Sequence, residues 1–194
     1  MENPLEVLSH VTRTLEEHGI AYVVVGSFAS SMRGLYRATA DIDIVADLRP
    51  EQVRLLVESL QEKFYIDEQA VRRAVSRRGS FNAIHFDAVF KVDVFVAKDD
   101  DFTRQQLARR RAEKVALDAP QEIYVATAED TILAKLLWYR SGGEVSRTQW
   151  SDVLGVAGTQ GSGLDVEYLR EWAGRLEVSD LLERLLEEAG LGRS

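Results

Sequence analysis

The chain has 194 residues, 45% hydrophobic and 29% charged, which fits one compact domain or a core with a small helical appendage. It has no cysteine, which excludes disulfides and thiolate zinc sites and suits a cytoplasmic location. The net charge of −8 excludes a uniformly basic nucleic-acid surface, and without a signal-peptide pattern or an apolar run of about 20 residues no membrane association is expected.

The chain begins with a predicted helix followed by two predicted strands. The helix runs from about Leu5 to Glu17, and the apolar, β-branched run Ala21–Val25 predicts a strand buried on both faces. Gly26-Ser27 ends this strand, and a brief helix is predicted directly afterwards, over Phe28–Met32. Acidic and apolar residues alternate over Asp41–Ala46, which predicts the second strand.

The middle of the chain predicts two further helices, a hairpin and a polar helix. Pro50 opens the first helix, and a basic helix follows over Asp67–Arg77. The strand-like runs Phe81–Phe86 and Phe90–Ala97 are separated by few residues, which predicts an antiparallel hairpin. The polar stretch Asp99–Arg111 is predicted to be helical.

A change of period near Thr127 predicts the domain organisation. Glu122–Ala126 is predicted as an edge strand, and Thr127 with Asp130 resembles a capping box that starts a helix. The helical period then continues to the end of the chain. The predicted fold class is therefore α/β (α+β): a mixed sheet flanked by helices as a catalytic core, residues 1–126, followed by a C-terminal helical subdomain, residues 127–194.

Three aspartates are the candidate metal ligands. Because side chains alternate along a strand, Asp41 and Asp43 project to one side while Ile42 and Ile44 enter the core. Two carboxylates so close repel each other unless a cation lies between them, and Mg²⁺ prefers such oxygen ligands. Asp93 lies within another apolar strand, where an acid is costly unless it is paired or metal-bound. If the two strands are neighbours, the three acids could hold two ions about 3.5–4 Å apart, as in phosphoryl transfer.

Gly26 and Ser27 are the candidate phosphate-binding residues. Glycine at a strand-to-helix turn lets the backbone approach a ligand closely, and a helix N-terminus offers free N–H groups to a phosphate. A Gly-Ser pair or an Asp-x-Asp pair is usually unremarkable by itself. Their combination, in this order and with a later Asp93, favours a nucleotide site.

These residues resemble the signature of the DNA polymerase beta-like nucleotidyltransferase superfamily. Gly26-Ser27 is followed, after residues 28–40, by the acid–apolar–acid run Asp41–Asp43. The longer pattern formed by Gly26–Ser31, Gly34, Arg37, Thr39 and Asp41–Val45 is similar to that of small bacterial stand-alone nucleotidyltransferases related to AbiEii-type toxins. The similarity extends to a later block formed by Ala126–Asp130, Lys135, Arg147, Trp150 and Asp152–Leu154.

The resemblance implies roles for further residues. Asp41, Asp43 and Asp93 would bind Mg²⁺ or Mn²⁺, and Ser27 would bind the triphosphate. The set of nucleotide-binding candidates is Gly26, Ser27, Arg37, Lys135 and Asp152. In the family, Lys135 would contact the phosphates and Asp152 would support Lys135 or the site. The residues alone leave alternatives open, since Lys135 and Asp152 lie off the apolar faces of their helices and Arg37 could be a surface arginine.

The first functional hypothesis is transfer of a nucleoside monophosphate from a nucleoside triphosphate to an acceptor hydroxyl. The acceptor could be an RNA end, a protein or a small molecule. Two groups of basic residues weakly favour RNA or another phosphate-rich acceptor, although solvated helix faces are the commoner explanation: Arg72, Arg73, Arg77 and Arg78, and Arg104, Arg109, Arg110, Arg111 and Lys114.

Two other hypotheses remain. The same enzyme could act as the toxin of a toxin–antitoxin pair and bind an antitoxin partner. Alternatively, the chain could be a non-catalytic nucleotide-binding or interaction module of the same fold.

Overall fold

The computed structural model describes residues 4–26, 41–87, 90–114 and 121–192, apart from the side chain of Asp41. The first part of the chain contains α1 (Pro4–Glu17), β1 (Tyr22–Val25), β2 (Asp41–Ala46), a 3₁₀ turn (Pro50–Gln52), α2 (Val53–Leu60), β3 (Phe64–Tyr65), α3 (Glu68–Arg77), β4 (Ser80–His85), β5 (Lys91–Val96), α4 (Asp101–Arg109), β6 (Arg111–Lys114) and β7 (Glu122–Val125). The second part contains α5 (Ala128–Ser141), α6 (Arg147–Gln160), a 3₁₀ turn (Gly161–Gly163), α7 (Val166–Arg175) and α8 (Ser179–Glu188). The brief helix predicted over Phe28–Met32 lies outside the described residues.

The described strands form one mixed sheet of seven strands. Their order is β3-β4-β5-β2-β1-β7-β6. The pairs β2–β5 and β1–β7 are parallel and the other neighbours are antiparallel. This arrangement confirms the predicted α/β class and the predicted antiparallel pairing of β4 with β5.

The prediction that Glu122–Ala126 forms an edge strand was wrong. Strand β7 pairs with β1 on one side and with β6 on the other. Strand β6 covers Arg111–Lys114, a short charged run without apolar alternation, so its sequence gives no strand signal. The helix predicted over Asp99–Arg111 is also shorter than expected, because Asp100 caps it by accepting a hydrogen bond from the Thr103 N–H.

One face of the sheet forms the main core of this part of the chain. Ile42 and Ile44 of β2 and Val92 of β5 have no exposed surface. Helix α3 packs on β4 and β5, and His10 of α1 stacks on Phe64 of β3. The apolar residues of β2 and β5 are thereby buried, which forces the residues between them to the opposite face.

Helix α1 is also fixed to the sheet by a buried tyrosine. The Tyr22 hydroxyl donates to Glu16 Oε1 at 2.7 Å and accepts from the Tyr124 N–H at 3.3 Å. Burial, together with the hydrogen bond to Glu16, raises the pKa of this hydroxyl. The phenol therefore stays neutral and joins α1, β1 and β7.

The opposite face of the sheet is divided. Near β1 it is apolar, where Val23, Val25 and Ala126 form a buried cluster with Val45 and with Leu107 of α4. Toward β5 and β4 it is polar and more open to solvent, with Asp43, Lys91 and Asp93 half-buried and Asn82 exposed. The candidate site lies on this polar part.

Contacts divide the described chain into two units, and along the chain the boundary between them falls between Ala126 and Thr127. In the second unit the Thr127 hydroxyl accepts a hydrogen bond from the Asp130 N–H, which confirms the predicted helix cap. The Trp150 indole donates to Glu188 at 2.8 Å and joins α6 to α8. None of the described helices is long and apolar enough to cross a lipid bilayer. That residues 1–126 form a catalytic core stays a prediction.

Candidate active site

Asp43 and Asp93 are neighbours across two central strands. Strands β2 and β5 are parallel, and their register places Asp43 directly opposite Asp93. Paired strands lie about 4.8 Å apart, and residues opposite each other project from the same face of the sheet. The expectation that the Asp93 strand lies beside the Asp41 strand is therefore confirmed, and Asp93 is on the same face as Asp43.

Gly26 lies against the carboxylate of Asp43. Val25, at the end of β1, is opposite Asp43 in the antiparallel pair of β1 and β2. The next residue, Gly26, has a φ of +71°, and a Cβ added to it would lie 2.1 Å from Asp43 Oδ2. Only a residue without a side chain leaves room for the carboxylate at this point. The close approach of Gly26 to the Asp43 carboxylate is therefore a feature of the structure, and its predicted close approach to a phosphate stays a prediction.

Both oxygens of the Asp93 carboxylate have donors within the sheet. Asn82, opposite Asp93 on β4, donates from Nδ2 to Oδ1 at 2.7 Å. Lys91, two residues earlier on β5, places Nζ 2.7 Å from Oδ2. Neither residue was among the predicted site residues. The two-residue period of β5 puts Lys91 on the face of Asp93, whereas the place of Asn82 depends on the register of β4 against β5.

A buried ion pair lies in the second unit. Lys135 of α5 is 7% exposed, and its Nζ lies 3.5 Å from Oδ2 of Asp152 on α6. The alternative that Lys135 is simply solvated was wrong. Helix α5 is buried around most of its circumference, so its apolar period does not mark the buried side.

Comparison with known proteins gives structural similarity without sequence matches. No protein-family model matches the chain, and no curated protein matches it in sequence. The antibiotic-resistance factor ANT(2″)-Ia, in a crystal structure with adenylyl-2″-tobramycin, superposes with a TM-score of 0.55 at 14% identity, over 86% of this chain and 94% of that chain. Its solution structure gives 0.54 at 12% identity, over 93% and 95% of the two chains.

An antigenic nucleotidyltransferase-like protein from Paracoccidioides brasiliensis is similar as well. Its TM-score is 0.54 at 16% identity, over 78% of this chain and 74% of that chain. The fold is that of the nucleotidyltransferases. Similarity at such identities establishes the architecture, and the activity has to be argued from the residues.

The donor set of this nucleotidyltransferase fold fits a hard divalent cation. Asp43 and Asp93 supply carboxylate oxygens on adjacent strands, and the absence of a side chain at Gly26 leaves space for the Asp43 carboxylate. Among the side chains that the structure describes, no group of three His, Cys, Asp or Glu residues is arranged to hold a metal ion. The side chain of Asp41, the third predicted ligand, is outside that set.

Other predicted site residues also lie outside the described residues. They are Ser27 and Arg37, so their contacts with phosphate stay predictions, as does the metal-binding role of Asp41. Residue 41 is described through its backbone alone, which starts β2 opposite Lys91 of β5. The nucleotide-binding roles of Lys135 and Asp152 are likewise predictions.

The buried pair predicts unequal effects of removing its two partners. Asp152→Asn is expected to lower the free energy of unfolding by roughly 2 kcal/mol, because it leaves the buried Lys135 ammonium without its counter-charge. Lys135→Met keeps the aliphatic chain and leaves a carboxylate that is 24% exposed to water, so its effect should stay below about 1 kcal/mol. Urea denaturation followed by circular dichroism measures both. Equal losses in the two variants would contradict this account of the pair.

Proposed function

We propose that this protein is a Mg²⁺-dependent nucleotidyltransferase that transfers a nucleoside monophosphate from a nucleoside triphosphate to an acceptor hydroxyl. The observation that supports the proposal most strongly is the placement of Asp43 opposite Asp93, with Gly26 against the Asp43 carboxylate. Two acids on one sheet face, beside a glycine that directly follows a strand, are suited to binding a metal-bound triphosphate. The fold supports the same activity.

The residues of the chain have distinct roles in this reaction. The acceptor oxygen attacks the α-phosphorus, the bond from that phosphorus to the pyrophosphate oxygen breaks, and Asp93 takes the proton of the hydroxyl as general base. Asp41, Asp43 and Asp93 would hold Mg²⁺ or Mn²⁺, which neutralises charge on the leaving pyrophosphate. Gly26 and Ser27 would receive the triphosphate at the end of β1, with Arg37 and Lys135 as further phosphate contacts. Asn82 orients the Asp93 carboxylate through its 2.7 Å hydrogen bond.

The basic groups give little support to an RNA acceptor. Arg72 lies 2.6 Å from Glu68, and Arg73 and Arg78 each have an acidic side chain within 4 Å. In the second group, Arg104 pairs with Asp99 and Asp101, and Arg110 lies over the Tyr124 ring. The ion pairs favour the interpretation as solvated surface charges for four of these residues: Arg72, Arg73, Arg78 and Arg104. The charged surface thus does not select RNA among the acceptors. We propose a hydroxyl acceptor, and RNA, protein and small molecules are the classes to test.

A structural neighbour suggests an acceptor class, whereas the sequence resemblance suggests a biological role. Adenylyl-2″-tobramycin in the ANT(2″)-Ia crystal structure makes a small hydroxylated molecule a reasonable acceptor class to include. The toxin role and an antitoxin partner rest only on the sequence resemblance to small bacterial stand-alone nucleotidyltransferases related to AbiEii-type toxins.

Incorporation of label tests the proposed activity. The protein is incubated with Mg²⁺ or Mn²⁺ and each of the four α-labelled nucleoside triphosphates, together with total RNA, total protein or a mixture of polyhydroxylated small molecules. We expect label in one acceptor class, with release of pyrophosphate, and loss of both when EDTA removes the metal. If nucleotide and metal bind while no acceptor is labelled, the protein is a binding module and the proposal is wrong.

A further inference from the structure

Lys91 occupies a position where a cation would bind Asp93. Its Nζ lies 2.7 Å from Asp93 Oδ2, and the Lys91 side chain is 38% exposed while that of Asp93 is 18% exposed. The two residues are two apart on β5, so they share a sheet face. Asn82 donates to the other oxygen of Asp93 from β4. The carboxylate therefore has a neutral donor on one oxygen and an ammonium group on the other.

An ammonium at this distance disfavours a metal ion on the same carboxylate. A divalent cation binds a carboxylate oxygen at about 2.1 Å. A metal ion on Asp93 would therefore lie close to the Lys91 ammonium and would be repelled by it. The Asn82 amide is uncharged and opposes metal binding much less. Of the two donors to Asp93, Lys91 is therefore the one that competes with a metal.

The register gives Lys91 a second relation to the acids. It is opposite residue 41 across the β2–β5 pair, while Asp93 is opposite Asp43. The cross-strand pair on the same face next to Asp43–Asp93 thus includes a lysine from β5. A positive charge here compensates part of the repulsion among the acids while no metal is bound.

We propose that Lys91 is a positioning residue that acts as an internal counter-ion for Asp93 and competes with the divalent cation for that carboxylate. It holds Asp93 in place in the metal-free protein and leaves Oδ2 when metal and substrate bind. This inference rests on the proposed function, since it assigns a metal-binding role to Asp93. Its consequence is that metal binding to Asp93 is weaker, and depends more on substrate, than three carboxylates alone would make it.

Mn²⁺ binding in the absence of nucleotide tests the competition. Free Mn²⁺ is followed by electron paramagnetic resonance during titration of the wild type, Lys91→Met, Lys91→Arg and Lys98→Met. We expect Lys91→Met to bind Mn²⁺ about tenfold more tightly than the wild type, and Lys91→Arg to restore wild-type affinity because it keeps the charge next to Asp93. Lys98→Met removes the same charge from an exposed position just after β5 and should match the wild type.

Kinetics supply a second readout. Because Lys91 no longer competes for Asp93, Lys91→Met should reach half-maximal rate at a lower Mg²⁺ concentration than the wild type, while the KM for the nucleoside triphosphate stays unchanged. Lys91→Met with wild-type or weaker Mn²⁺ affinity overturns the inference, as does a tightening that Lys98→Met reproduces. If the wild type transfers nucleotide while the Lys91 variants bind Mn²⁺ as it does, this inference alone fails. If the wild type transfers none, the proposed function fails as well.

Discussion

Asp43→Asn is expected to lower the rate of nucleotidyl transfer by at least about a thousandfold while the protein stays folded. The amide has nearly the shape of the carboxylate but lacks the negative charge that a metal ligand needs at this position. Metal stabilisation of charge in the transition state is worth several kcal/mol, and a loss of about 4 kcal/mol corresponds to a factor of about a thousand in rate. Single-turnover assays at saturating nucleotide measure the effect, and circular dichroism confirms folding.

Asp47→Asn is the matched control for this substitution. Asp47 follows β2 directly, its side chain is 53% exposed, and its contact with Arg78 is a surface ion pair at 3.9 Å. The same chemical change there should leave turnover within about twofold, since exposed ion pairs contribute little. Turnover in Asp43→Asn equal to that of the wild type would refute the assignment of Asp43 as a metal ligand.

Gly26→Ala is expected to reduce turnover by about a hundredfold and to lower stability by about 1–2 kcal/mol. Two effects combine. A φ of +71° is unfavourable for any residue with a Cβ, and the new methyl group would overlap Asp43 Oδ2, 2.1 Å away. The carboxylate has to rotate out of its position, and a displacement of about 1 Å at a catalytic group can reduce the rate about 10²-fold.

Gly19→Ala separates the two effects. Gly19 has a φ of +63°, but an added Cβ there would meet no atom within 4 Å. Gly19→Ala should therefore show the backbone strain in thermal or urea denaturation and keep wild-type turnover. Gly26→Ala with the kinetics of Gly19→Ala would mean that the position of the Asp43 carboxylate does not matter for the reaction.

The elements around the candidate site could be predicted from sequence because their patterns are local. Ile42 and Ile44 alternate with acids in β2, and Val92 and Val94 surround Asp93 in β5, so both strands and their buried face follow from the two-residue period. The pairing of the two strands does not follow from this period. It depends on which strands are neighbours and in which register, and both depend on the whole chain.

Other features had weak or misleading signals. Asn82 and Lys91 are polar residues on the outer face of strands, where most such residues are solvated, so their contacts with Asp93 could not be inferred. Strand β6 is short and charged, and its role as the outer neighbour of β7 becomes visible only in the sheet. Lys135 is buried because α5 is buried around most of its circumference, whereas the sequence shows only a polar residue beside an apolar stripe.

Anomalous diffraction from a complex with Mn²⁺ and a non-hydrolysable nucleoside triphosphate shows directly whether the three aspartates bind a metal ion beside the triphosphate. We expect a Mn²⁺ peak about 2.1 Å from carboxylate oxygens of Asp41 and Asp43, shared with the triphosphate at the end of β1, and a ligand oxygen from Asp93 at the same site. Mn²⁺ and triphosphate bound elsewhere, with Asp43 free of metal and Asp93 still held by Lys91 and Asn82, would contradict it.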